Sequence, residues 1–312
     1  MTSVITLTLN PAVDRTITVP KLELGGLHRL EEQPLMDPGG KGINVAKVLR
    51  KFNVPVTATG FLAGALGEKM QQELSVLGIE SDFVQVKGEV RTNLKIVDLE
   101  KGQTTEINEP GFGVENEESL QLDQHLERDL QEAEYLVLGG STPQGIDDSI
   151  YHKYVELAKK HRVKTILDAS GKALEKGIES KPFAIKPNLE ELEHLFDRRF
   201  ENVQEITEAS NNLIESGIEL VVVSLGKEGA LFVTEDAQVL AKPFPIEAKS
   251  TVGAGDSMVG AMIYSLLNGF SLEEIAKWAT AAGTITASKP GTKVCSLDEV
   301  EASKDKVHID HI

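Results

Sequence analysis

Two glycines, an alanine and a carboxylate, in the order Gly253-Ala254-Gly255-Asp256, stand immediately before an apolar run that opens a helix. Glycine allows a tight turn and close approach of the backbone to a ligand, and a helix start presents unpaired N–H groups to it. Such a terminus favours negative charge, so Asp256 would sit beside a bound anion and point at whatever the anion reacts with. That arrangement suits phosphoryl transfer. An isolated Gly-Asp before a helix reads first as a capping residue, and its neighbours must change that.

Other stretches carry polar residues at spacings that could serve a ligand. In Asp37-Pro38-Gly39-Gly40-Lys41-Gly42, three glycines and a lysine precede a helix expected over 43–51, a second candidate for an anion or a polyol. In Lys186-Pro187-Asn188-Leu189-Glu190-Glu191, Asn188 and Glu191 are three apart on a first helical turn and can face one site. Asparagine with an acid three positions on is also a capping box. Asp14 follows the first strand in a loop and reads as a turn residue or a ligand. Ser141 lacks the Gly-x-Ser-x-Gly elbow and is followed by Pro143 where the elbow's helix would begin, so it is no hydrolase nucleophile. Neither Gly-x-x-x-x-Gly-Lys-Ser/Thr nor a Gly-x-Gly-x-x-Gly after the first strand occurs, which leaves a P-loop enzyme and a dinucleotide oxidoreductase unsupported.

The elements around these residues alternate. Strands are expected at 4–9, 54–60, 82–86, 135–138, 164–168, 183–185, 219–224 and 230–233, and helices at 43–51, 67–77, 115–130, up to 160, 254–268 and 272–287. This rhythm implies a parallel sheet covered by helices. Strand-like runs at 15–19 and 28–36, and a hairpin pattern at 91–99 and 103–108 around Glu100-Lys101-Gly102, interrupt it. They are expected to form a small lid over one edge of a single domain spanning 1–312, built from two discontinuous segments at about 15–36 and 90–108.

Of the 312 residues 40% are hydrophobic, enough for a full core. No apolar run is long enough to span a bilayer, and the first ten residues lack the charged region and cleavage site of a signal peptide, so a cytoplasmic protein is expected. A net charge of −17 argues against non-specific binding to nucleic acid or to an anionic membrane, and an anionic ligand must meet a local basic pocket. The one cysteine, Cys295, excludes an internal disulfide framework. His308 and His311 lie in a polar tail and read as surface residues.

Gly39-Gly40-Lys41-Gly42-Ile43-Asn44-Val45-Ala46 and Thr251-Val252-Gly253-Ala254-Gly255-Asp256 resemble the two signatures of the ribokinase-like, phosphofructokinase B type carbohydrate kinases. Lys186-Pro187-Asn188-x-x-Glu191 and Ser224-Leu225-Gly226-x-x-Gly229 resemble further elements of that family, in family order. Thr8-Leu9-Asn10-Pro11-Ala12-Val13-Asp14, Arg91-Thr92-Asn93-Leu94-Lys95 and Gly140-Ser141-Thr142-Pro143 are similar to its phosphosugar branch. The resemblance implies an α/β, ribokinase-like fold, with a mainly parallel central sheet flanked by helices and a small β-sheet lid that pairs with the lid of a second subunit in a homodimer. It implies ATP-dependent phosphorylation of a phosphosugar: fructose 1-phosphate at its 6-hydroxyl first, tagatose 6-phosphate as the alternative. A 6-phosphofructokinase or a non-catalytic sugar-phosphate sensor ranks below these.

By the same resemblance Asp256 would take the proton of the sugar hydroxyl, and the N–H groups of Gly253, Ala254 and Gly255 would hold the charge developing on the transferred group. Asn188 and Glu191 would organise the Mg²⁺ of the nucleotide through water. Lys186, Ser224, Gly226, Gly229 and Thr251 would line the nucleotide groove. Asp14, Gly39, Gly40, Lys41, Asn44 and Ser141 would hold the sugar, with Arg91, Lys95 and Arg29 collecting its phosphate. Many family members carry an acid at the start of the second signature that helps hold a monovalent cation. This chain has Ser250 there, so potassium dependence is not carried over.

Overall fold

Apolar runs without polar alternation make buried strands, and amphipathic runs between them make covering helices. In a computed structural model, which describes residues 4–31 and 33–312, they begin with β1 (Val4–Thr8), β2 (Ala12–Val19), β3 (Leu35–Gly39), α1 (Lys41–Lys51), β4 (Val56–Ala63), α2 (Gly64–Val76) and β5 (Glu80–Val86). Next come β6 (Arg91–Asp98), β7 (Gln103–Asn108), α3 (Asn116–Asp129), β8 (Tyr135–Gly139), α4 (Ile150–Lys160), β9 (Lys164–Asp168), α5 (Gly171–Glu179) and β10 (Ala184–Ile185). The chain continues with α6 (Leu189–Leu195), α7 (Val203–Glu215), β11 (Leu220–Ser224), β12 (Ala230–Val233) and β13 (Gln238–Lys242). It ends with α8 (Ala254–Leu267), α9 (Leu272–Ala287), α10 (Leu297–Glu301) and β14 (His308–His311).

One sheet has the order β14-β13-β12-β11-β10-β9-β8-β1-β4-β5. From β11 to β5 every neighbouring pair is parallel, whereas β12, β13 and β14 are added antiparallel. β1, β4 and β8 are buried at every residue, as parallel strands covered on both faces must be. Parallel register brings the C-terminal ends of these strands to one edge: Thr8 is level with Gly139, Gly139 with Asp168, and Leu167 with Ile185. Ligands of open α/β sheets bind outside such ends. The segments leaving them carry Asn10, Ser141, Lys186 and the turn after Ser224.

A second, four-stranded sheet has the order β3-β2-β6-β7. It is built from the two segments expected to interrupt the main sheet, with different strand limits. The strand expected over 28–36 is absent as such: residues 28–31, 33 and 34 are irregular, and Glu32 lies outside the described residues. The strand runs instead through Asp37-Pro38-Gly39, whose composition suggests a loop. Proline lacks the N–H that an interior strand needs, but β3 is an edge strand. β2 starts at Ala12, so Asp14 is a strand residue and not a loop residue. Five elements, α5, α7, α10, β13 and β14, were not anticipated, and β14 takes up the expected tail while leaving His308 and His311 exposed. Among the described residues no helix is long and apolar enough to cross a membrane.

Candidate active site

Gly253 caps α8 in the left-handed region, with φ of 76°, where a side chain would be strained. The turn leaves the N–H groups of Gly253, Gly255 and Asp256 without an acceptor among the described residues, while Ala254 donates to the Thr251 carbonyl and Ser257 to that of Gly253. Free donors at a helix N-terminus make a cradle for an anion. Asp256 is only 8% exposed. Its Oδ2 accepts a 2.8 Å bond from Asn44 Nδ2 on α1. Burial and then the charge of Asp168 push its pKa up to about 6, against the opposing effects of Lys41, Asn44 and Lys186. A carboxylate so tuned is largely ionised at neutral pH and still basic enough to accept a proton.

The start of α1 faces the same place. Gly40, with φ of 120°, turns the chain from β3 into the helix, and Lys41 extends Nζ to Asp168 Oδ1 at 2.7 Å. Lys186 Nζ lies 3.3 Å from the other oxygen, Oδ2. Asp168 ends β9 and is buried, so each of its oxygens meets one ammonium. Burial alone would raise its pKa, but Lys186 and Lys41 prevail and it is lowered. Burial also works against the charge on Lys41, and Asp168 more than offsets it, so the pKa of Lys41 is raised. Lys186 reaches the glycine turn as well: a side-chain carbon on Gly255 would stand 3.2 Å from its Nζ. Two cations sharing one buried acid therefore flank the cradle and Asp256.

On the far side of this centre, Asn188 caps α6. Its Oδ1 accepts from the Glu191 N–H at 2.8 Å, and Glu191 Oε2 accepts from the Asn188 N–H at 2.9 Å, a complete capping box. Asn188 is bridged to Ser224 at the end of β11, and Gly226 and Gly229 turn the chain back into β12. Gly229 lies so close to the Ala241 carbonyl that packing alone requires glycine there. Thr251 is exposed beside the cradle. Among the described residues no three His, Cys, Asp or Glu side chains converge as a metal cage. Glu191 keeps Oε1 uncommitted, which suits contact with a hydrated Mg²⁺ through water and not the holding of a dry ion.

The four-stranded sheet supplies a further polar cluster. Asp14 Oδ1 pairs with Lys95 Nζ at 3.2 Å and accepts from Asn93 Nδ2 at 3.2 Å, all from neighbouring strands β2 and β6, and Gly39 abuts the same carboxylate. Lys95 is thus already paired and buried. Arg91, although on the same strand, turns elsewhere: its Nη2 donates to the Asn10 carbonyl at 3.2 Å and to Ser141 Oγ at 3.4 Å. Arg29 is exposed on an irregular stretch and is not brought to the others by a hydrogen bond or ion pair. The clusters adjoin: the charge of Asp14 acts on Arg91, and those of Asp14 and Asp256 both act on Lys47. Asn10 Oδ1, Asn44 Oδ1, Asn93 Oδ1 and Arg91 Nε are buried without a partner among the described residues, as groups awaiting a polar ligand would be. Sequence reasoning passed over Asp168, Asn10 and Asn93. Asp168 had one signal, an acid ending a buried apolar strand on the ligand edge of a parallel sheet.

Residues 7–299 match the family described as pfkB family carbohydrate kinase. The chain is 35% identical over 308 residues to a 1-phosphofructokinase of Borreliella burgdorferi, covering 98% of each. It is 36% identical over 302 residues to a tagatose-6-phosphate kinase of Staphylococcus epidermidis, covering 96% of each. Crystal structures of phosphofructokinase-2 from Escherichia coli, one in complex with potassium and one a tetrameric inhibited form, superpose with TM-scores of 0.91 and 0.90 at 32% identity, covering 98% of this chain and 99% of theirs.

Proposed function

This chain belongs to the pfkB family of carbohydrate kinases, and we propose that it transfers the γ-phosphoryl group of ATP to the 6-hydroxyl of fructose 1-phosphate. The observation that carries this reading is the buried Asp256 beside three unpaired N–H groups, an acceptor for a proton next to a cradle for charge. Asp256 takes the hydroxyl proton as the oxygen attacks. The N–H groups of Gly253, Gly255 and Asp256, with Lys41 and Lys186 behind them, hold the charge that spreads over the transferred group without having to reorganise. A bound Mg²⁺ would supply further neutralisation of the phosphates, met through water by Glu191 and Asn188.

The sugar lies between two anchors in this reading. Asp14, with Lys95 as its counter-ion, accepts from ring hydroxyls, as do Asn44 and Asn93 through their free oxygens. Arg91, with Ser141, takes the substrate's own phosphate at the end away from Asp256. Tagatose 6-phosphate, presenting its 1-hydroxyl, is the second reading, and the 36% identity to a kinase of that name favours it over other sugars. A ketofuranose carries similar hydroxymethyl arms on both sides of its ring oxygen. The protein acts in the cytoplasm as a homodimer joined through the lid, whose edge strand β7 is exposed along its whole length.

ADP release measured over fructose 1-phosphate, tagatose 6-phosphate, fructose 6-phosphate and ribose, with and without Mg²⁺ and potassium, tests the assignment. The highest kcat/KM is expected with fructose 1-phosphate. A preference for ribose would remove the phosphate role of Arg91, and no turnover with any sugar would remove the enzymatic reading.

A further inference from the structure

Lys47, Arg50 and Lys51 on the last turns of α1 and Lys293 beyond α9 line a cavity of about 620 Å³, which also contains Asp37 and Glu73. Among the described residues none of the four cations has a carboxylate within ion-pair distance, and Glu73 pairs with Lys69 instead at 3.8 Å. Lys47 donates to the Pro38 carbonyl and Lys51 to the Val294 carbonyl at 3.0 Å, both neutral acceptors.

A helix end gathers cations to offset its dipole, and that accounts for part of this cluster. It does not account for all of it. The carbonyls of Val48, Leu49 and Arg50 already accept from the N–H groups of Phe52, Asn53 and Val54, so the lysines are not needed to satisfy them. Lys293 belongs to a different segment and adds to the same hollow in a chain whose net charge is −17. Burial lowers the pKa of Lys47 against the charges of Asp37, Asp14, Glu73 and Asp256, and burial with repulsion from Lys289 and Lys293 lowers that of Lys51; a bound anion would favour the charged form of both. Leu77 and Ile79 give the cavity an apolar wall, and its size falls in the range of small-molecule sites.

We propose that this cavity is a second anion site, distinct from the catalytic one, which takes a small phosphate-bearing metabolite, with Arg50, Lys51 and Lys293 as the accessible clamp and Lys47 beneath. Its floor is joined to the lid, because the Lys47 acceptor Pro38 belongs to β3.

Pyridoxal 5′-phosphate is a suitable probe, since its aldehyde condenses with an unprotonated amine, loses water, and gives an imine that borohydride reduces to a stable secondary amine. With the full chain labelled near neutral pH and mapped by peptide mass, label is expected on Lys51 or Lys293. Inorganic pyrophosphate is expected to reduce it several-fold, while sodium chloride at matched ionic strength does not. R50Q removes part of the clamp without removing a lysine, and is expected to abolish the protection. Label spread evenly over surface lysines, or label at Lys51 and Lys293 that pyrophosphate leaves unchanged, overturns the proposal. So does label confined to Lys41 or Lys186, although that outcome leaves the catalytic reading standing. Failure of every sugar to release ADP, with protected label at Lys51, would remove the catalytic reading and leave the second site.

Discussion

Asn44 Nδ2 and Asp256 Oδ2 are 2.8 Å apart, although 212 positions separate them in the chain. The bond ties the start of α1 to the start of α8, the two helices that glycine turns introduce. It also lowers the pKa of Asp256, opposing burial and Asp168. Asn44→Ala is therefore expected to move the acid limb of the kcat profile to higher pH and, by removing the free Oδ1, to raise KM for the sugar. A profile that keeps its acid limb while activity falls would show that Asn44 acts on substrate alone.

Asp168→Asn should unsettle the fold. It leaves the buried Lys186 without its counter-charge, and removing one partner of a buried pair costs roughly 3–5 kcal/mol. Lys41, a third exposed, can turn towards solvent and soften the loss. The pKa of Asp168 is lowered in the fold, so its contribution is present above the usual carboxylate range and disappears as pH falls through the lower folded value. Urea midpoints of the native chain should drop in that acidic window, and the variant should lack this part of the drop. Equal midpoints for the two proteins at neutral pH would contradict the assignment.

Residue spacing alone indicated the glycine turns, the helix behind each and the parallel sheet, because all three rest on local backbone requirements and on burial. It did not indicate which polar residues meet. The Asn188 to Glu191 spacing fits a ligand site and a capping box equally, and the structure forms the box. Arg91 and Lys95 share a strand face by alternation, yet one reaches Ser141 and the other Asp14, since each takes the partner its own neighbouring strand or loop supplies. Asp168 went unnoticed because its one signal, an acid at the end of a buried strand, names no partner. Its meaning comes from Lys41 and Lys186, which only the crossing of three chain segments brings to it.

The lid leaves Leu24, Leu27, Leu35, Met36, Leu99 and Ile107 exposed, an apolar surface that a monomer would have to keep wet. If a second lid covers it, Leu27→Lys should shift sedimentation from dimer to monomer at micromolar concentration and raise KM for the sugar, with less effect on KM for ATP. A native chain that sediments as a monomer throughout that range would dispose of the lid dimer.

Asp256 carries the clearest test because its two roles predict opposite results. Its pKa is raised from 3.8 to about 6, so between those values the folded chain holds a proton that the unfolded chain has lost, and stability falls as pH rises through the window. Above it the full cost is in place, two pH units or roughly 3 kcal/mol. Asp256→Asn keeps the shape, can still accept from Asn44, and carries no charge to bury. It is expected to raise the thermal midpoint at neutral pH and to flatten the slope between about pH 4 and 6. As the general base is lost, kcat should fall by roughly 10²- to 10⁴-fold. A residue that only served the start of α8 would leave kcat unchanged, because asparagine suits that place as well as aspartate. A more stable, inactive variant is what a catalytic carboxylate held at an energetic cost requires, and full activity at unchanged stability would sink the mechanism.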